Sequence, residues 1–161
     1  MHQANAHPLP EADKFTIKTI AEQKILRIKH DPSNGHISNS IVALVRFYLL
    51  QASDDYNVIF PQMSISKNGL EHVAIQYEGN PKITKDVEKT TLKAGIFASY
   101  IFKGSYVNLS NAIPQIFAKI RQLPNYIVAS PEEIRILYWN SIDDHHPQDL
   151  ISEIQIRLQP K

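Results

Sequence analysis

Two segments of this 161-residue chain echo each other: Ile37-Ser38-Asn39-Ser40-Ile41 and Leu109-Ser110-Asn111-Ala112-Ile113. The apolar positions stay in step, with Ile41, Leu44, Val45 and Tyr48 set against Ile113, Ile116, Phe117 and Ile120. Subtracting 41 from 113 gives an offset of 72 residues, close to half the chain. Each run has the spacing of a helix with one buried stripe. Two copies of one supersecondary unit in a chain of this size imply a pseudo-twofold architecture around a shared core. The seam between such halves is a natural place for a ligand groove, since pockets favour interfaces between structural units.

The stretches around the helices read as strands. Met1 to Asp13, with two prolines and two histidines, has no periodicity and is expected to be a loose tail. Phe15 to His30 reads as one long or broken strand, and Asp31-Pro32-Ser33-Asn34-Gly35 turns it into a helix over 37–51. Tyr56 to Ile65, punctuated by Pro61, is expected at a sheet edge or as a strand plus loop. Val73 to Tyr77, Val87 to Leu92 and Gly95 to Phe102 read as further strands. A second helix follows over 109–122, with Pro114 close enough to its first turn to be tolerated, and Leu123-Pro124-Asn125 stops it. Ile134 to Trp139 and Leu150 to Leu158 are the last two strands. In this reading Val73, Ile75 and Tyr77 echo Ile134, Ile136 and Tyr138. The expected fold is α+β: duplicated strand-helix-strand-strand units form a mostly antiparallel sheet with both helices on one face. Residues 14–161 are expected to form one domain, with half-units of approximately 14–80 and 86–160, behind a flexible tail over 1–13.

Composition removes several classes of function. A net charge of +1 gives no electrostatic reason to expect nucleic acid or an acidic membrane surface. The chain has no cysteine, so disulfide and thiolate chemistry are excluded. Met1 to Pro10 lacks the basic start and apolar run of a secretory signal, and no apolar run spans a bilayer, so a cytoplasmic location is expected. No phosphate loop, nucleophile elbow or Ser/His/Asp arrangement is recognisable, and no cofactor is implied. Asp143-Asp144-His145-His146 has metal-ligand chemistry, but adjacent residues seldom converge on one ion, and the segment reads as a solvated loop. Glu132-Glu133 and the nearby Arg135 read as ordinary surface charge.

Strand alternation singles out one acid. Ile154, Ile156 and Leu158 share one face of the last strand, and Ile151, Glu153, Gln155 and Arg157 share the other. If the first set packs under the helices, Glu153 points away from them; in a curved sheet lined with aromatics it becomes a buried acid awaiting a partner. Tyr106, Tyr138 and Trp139 are candidate lining residues, with weaker support for Phe60 and Tyr100. Alternation puts Tyr138 and Trp139 on opposite faces, so both cannot line one groove.

Three features of Leu92 to Leu158 resemble a known family. They are Ala94-Gly95-Ile96-Phe97-Ala98 leading to Lys103-Gly104-Ser105-Tyr106, then Ile136-Leu137-Tyr138, then His146-Pro147 followed by Ser152-Glu153-Ile154-Gln155-Ile156. Their order is similar to that of the gyrase-inhibitor-like (GyrI-like) effector-binding domain, found also at the C-terminus of MerR-type and AraC-type transcription regulators. Ile17 to Leu26 extends the match more loosely into the first half. The resemblance implies a small organic ligand, hydrophobic or cationic, held between the halves by an acid among aromatic rings. It assigns the acid to Glu153, the turn tyrosine to Tyr106 and the strand tyrosine to Tyr138, while Ile136 stands where many relatives carry a second acid. An alternative is a hydrolase using Glu153 as general base, and a third reading is a protein-interaction module such as a topoisomerase modulator. No helix-turn-helix or basic segment precedes the domain, so no direct contact with nucleic acid is expected.

Overall fold

The computed structural model describes residues 8–31, 33, 35, 37–50, 55–140 and 145–161. Nine strands and two helices follow in chain order: β1 (Phe15–Ile20), β2 (Gln23–Lys29), α1 (Ile37–Leu50), β3 (Tyr56–Lys67), β4 (Leu70–Gly79), β5 (Glu88–Leu92), β6 (Gly95–Lys103), α2 (Leu109–Arg121), β7 (Tyr126–Val128), β8 (Glu133–Tyr138) and β9 (Ile151–Pro160). All pairings are antiparallel, in the order β1-β6-β9-β8-β3-β4-β2-β5, with β7 also on β9. The order is a mirror: β6, β9 and β8 on one side of the seam face β2, β4 and β3 on the other. The α+β class, the two helices on one face and the pseudo-twofold arrangement are those expected.

The two ends of the sheet are not independent. β1 runs into β2 across Ala21 and Glu22, and β5 runs into β6 across Lys93 and Ala94. Phe15 pairs with Tyr100 and Ile20 with Gly95, then Gln23 pairs with Leu92 and Arg27 with Glu88, without a slip in register. Two long bent strands thus pair along their whole length, yet each contributes to both ends of the sheet. The sheet therefore curls on itself and acquires an inside.

One core lies between the sheet and the helices. Leu44, Val45 and Tyr48 of α1 and Ile116 and Ile120 of α2 are buried there with Val73, Ile75, Ile154 and Ile156. The stripes inferred from the repeat are the ones that pack. The second core lies inside the curl, where Ile25, Met63, Ile65, Ala74, Leu92 and Leu137 cluster and Trp139 leans against them.

Two details differ from the sequence reading. β3 is interior, between β4 and β8, and the register shift between Ile59 and Met63 absorbs Pro61. A bulge is the other place where a sheet tolerates a residue without an N–H. The counterpart of β4 across the seam is β9, not β8; β8 mirrors β3. Val73, Ile75 and Tyr77 share periodicity with Ile134, Ile136 and Tyr138 because both strands bury alternate residues under helices, not because the strands are equivalent. The expected tail ends in contact: the Asp13 N–H donates to Ile101 O at 2.8 Å, and Tyr100 Oη donates to the Asp13 carboxylate at 2.8 Å.

Candidate functional site

β9 carries Glu153 on the inner face of the curl, and its side chain is 1% exposed. Cross-strand pairing aligns Glu153 with Ile101 on β6 and Leu137 on β8. Four donors reach the carboxylate. Lys18 Nζ, Ser99 Oγ and Gln155 Nε2 converge on Oε2 at 2.9, 2.8 and 2.8 Å, and Trp139 Nε1 donates to Oε1 at 3.2 Å. Burial alone pushes this acid up, but the hydrogen bonds from Gln155, Lys18 and Ser99 outweigh it and hold the group below the ordinary glutamate value of 4.5. Lys18 sits on the edge strand β1 with its side chain 40% exposed, so the cation opposite this buried acid is reachable from solvent. Phe60 packs edge-to-face on Trp139, with ring centroids 5.8 Å apart.

The six expected lining residues divide between the faces. Glu153, Trp139 and Phe60 are together on the inner side. Tyr138 is buried on the helix side, edge-to-face with Tyr106 at 5.3 Å and hydrogen-bonded to Ser64 Oγ at 3.1 Å. Its burial pushes the phenol up to about 12. Tyr106 donates to Asn140 O at 3.2 Å. Tyr100 pairs directly with Ile154 and so shares the helix side. The structure does not bring Tyr106, Tyr138 and Tyr100 to Glu153: alternation turns Tyr100 of β6 and Tyr138 of β8 to the other face, and Tyr106 packs on Tyr138. Asp143 and Asp144 lie outside the described residues, and among those described no three metal-capable side chains gather.

The assignment of Glu133 and Arg135 to the surface is overturned. Arg135 is 0% exposed and Glu133 3%. Arg135 Nε donates to Glu133 Oε2 at 2.7 Å and Arg157 Nε to Oε1 at 3.0 Å. Both guanidinium groups also stack on Phe97, at 4.4 and 4.7 Å from the ring centroid. Arg135 Nη1 reaches Gln23 Oε1 at 3.1 Å, which ties β8 to β2 across the interior. A Cβ on Gly95 would collide with the Arg157 guanidinium, so glycine leaves the space in which that group lies. Desolvation raises the Glu133 carboxyl, but Arg135 and Arg157 hold it below the glutamate range. The missed signal was alternation: Glu133, Arg135 and Leu137 share one face of β8, opposite Arg157, Gln155 and Glu153 of β9.

Both acids are depressed in the folded state, so the sign of the pH effect follows. Their stabilisation is complete above the unfolded value and disappears as pH falls through the lower folded values. These two acids are expected to lower the melting temperature only below about pH 5. Glu153→Gln is expected to make that fall shallower; a parallel acid limb in wild type and variant would count against it.

No protein-family model matches the sequence, and no curated protein matches it. Solved structures do. The EcmrR C-terminal domain superposes with a TM-score of 0.71 at 15% identity, covering 91% of this chain and 98% of that one. In the EcmrR–DNA complex the same likeness spans 57% of the EcmrR chain. SAV2435 bound to tetraphenylphosphonium gives 0.60 at 14% identity, over 91% of this chain and 94% of its own. A hydrolase from Listeria innocua gives 0.65 at 8% identity, over 92% and 93%. At these identities the likeness concerns the fold. The class is therefore the α+β fold shared with the EcmrR C-terminal domain and SAV2435. More particularly, these neighbours are consistent with the resemblance to the GyrI-like domain seen in the motifs. Among the described residues no helix is long and apolar enough to cross a membrane.

Proposed function

We propose that the chain is an effector-binding module for a small, hydrophobic or cationic organic molecule, recognised at Glu153 beside Trp139 and Phe60. One observation carries this reading: a carboxylate 1% exposed is neutralised by a lysine whose side chain is 40% exposed. A buried charge needs a counter-charge, and one supplied by a flexible chain on an edge strand is exchangeable for a ligand's cation. The indole and phenyl rings give that ligand an apolar and quadrupolar wall. SAV2435, which shares the fold, is bound to a lipophilic cation in its solved structure, and that supports the same ligand class here.

The hydrolase reading is weaker. A general base needs a pKa near the working pH. Glu153 has four donors and a depressed carboxyl.

The test compares benzyltrimethylammonium with its neutral carbon isostere neopentylbenzene, titrated into wild type, Glu153→Gln and Lys18→Met. Losing a charge-assisted contact is expected to weaken the cation by about 10- to 100-fold in Glu153→Gln, with little change for the isostere. Lys18→Met, which removes the internal competitor, is expected to tighten the cation about tenfold. Equal loss for both compounds, or cation binding indifferent to both substitutions, would end this reading.

A further inference from the structure

The inner face has a concavity that contains no member of the Glu153 cluster. It lies at the end of the curl where the β3–β4 turn meets β5, and has a volume of about 330 Å³, within reach of the smallest ligand pockets. Arg27, Lys67 and Lys93 line it together with a single acid, Glu133. That acid is already engaged. Arg135 and Arg157 hold it at 2.7 and 3.0 Å, and Lys67 Nζ stands farther off at 3.7 Å. Arg27 is held through Nε alone, by Glu88 at 2.7 Å, which leaves its terminal nitrogens uncommitted to that pair. Among the described residues Lys93 enters no ion pair.

Positive charge therefore exceeds negative here, although the chain as a whole carries only +1. The rest of the wall is mixed: Ile65, Leu70 and Leu92 supply its apolar part beside Asn68, His72 and Thr91, and Leu70 is 47% exposed. An exposed leucine beside basic side chains that outnumber the acid suits an amphipathic anion. Like charges gathered in a cleft with low-dielectric walls focus their field and raise the local concentration of counter-ions.

We propose that this pocket is a second ligand site, which takes a small organic anion with an apolar body. The carboxylate or phosphate lies among Lys67, Lys93 and Arg27, and the hydrocarbon part lies against Leu70 and Leu92. The site is separate from the cation reading at Glu153, and neither depends on the other. Two ligands of opposite charge on one inner face would give the module two inputs.

The test titrates octyl phosphate, octanoate and octyltrimethylammonium, each below its micellar concentration, into the full chain. Amide chemical shifts provide the readout. Saturable binding of octyl phosphate or octanoate is expected, with shifts centred on residues 65–72 and 91–93. The one that binds tells a phosphate ester from a carboxylate ligand. The double variant Lys67→Met, Lys93→Met is expected to weaken the anion about tenfold, and Glu153→Gln to leave it unchanged. Both lysines are on the surface, and an unchanged melting temperature verifies that the variant is folded. Absence of saturable binding by both anions, equal binding of octyltrimethylammonium, or indifference to the lysine substitutions would overturn the proposal. Loss of the anion in Glu153→Gln would also overturn it, since the two sites would then be one.

Discussion

Glu133→Ala is expected to lower the free energy of unfolding by about 3–5 kcal/mol, the typical result of stripping one partner from a buried ion pair. The substitution leaves Arg135, 0% exposed, with no carboxylate, and removes the acidic partner of Arg157 as well. The cost is not the Coulomb energy of the pair, because an apolar replacement of the whole cluster is often neutral. It is the desolvation of a guanidinium that has nowhere to go. The neighbouring Glu132 is exposed, and Glu132→Ala is expected within about 0.5 kcal/mol of wild type. Urea midpoints at an unchanged slope measure both. A Glu133 variant as benign as the Glu132 variant would mean that the interior cluster contributes nothing to folding.

Phe97→Ala is the second large effect, also expected at about 3–5 kcal/mol for an aromatic truncation in a packed interior. Phe97 is 0% exposed and carries one guanidinium at 4.4 Å and another at 4.7 Å from its ring centroid. Phe97→Leu separates volume from ring electrostatics. It refills most of the space but offers no negative π-face, so it is expected to cost about 1–3 kcal/mol through the two lost cation–π contacts. In an Arg157→Met background the penalty for Phe97→Leu is expected to shrink, since one of those contacts is already absent. An undiminished penalty would assign the effect to shape alone.

The helices and the sheet were legible because their signal is periodic and local. The stripe through Ile41, Leu44, Val45 and Tyr48 needs no knowledge of distant strands to be read, and the same holds for Ile116 and Ile120 of α2. Glu153 was legible for the same reason: alternation with Ile154 and Ile156 fixes its face. What that face meets is not local. Lys18 lies 135 residues from Glu153 in the chain, and Arg135 lies 112 from Gln23. The curl that joins them depends on strand exchange between halves, which no periodicity records. Glu133 and Arg135 were misread for a related reason. Their spacing in a polar stretch suits a solvated strand equally well, and only the closure of the sheet makes that face an interior. Tyr106 and Tyr138 were assigned through the resemblance, whereas alternation alone already separates Tyr138 from Trp139.

The strand exchange has a consequence for how this duplicated molecule holds together. The segment that opens the first repeat completes the sheet of the second, and the reverse holds too. Neither repeat owns all the hydrogen-bonding partners its own strands require. Ala21-Glu22 and Lys93-Ala94 are thus reciprocal crossing points, and a lengthening at either one would shift pairings on both sides of the dyad together. The twofold arrangement thus makes the halves mutually dependent in place of two self-sufficient parts.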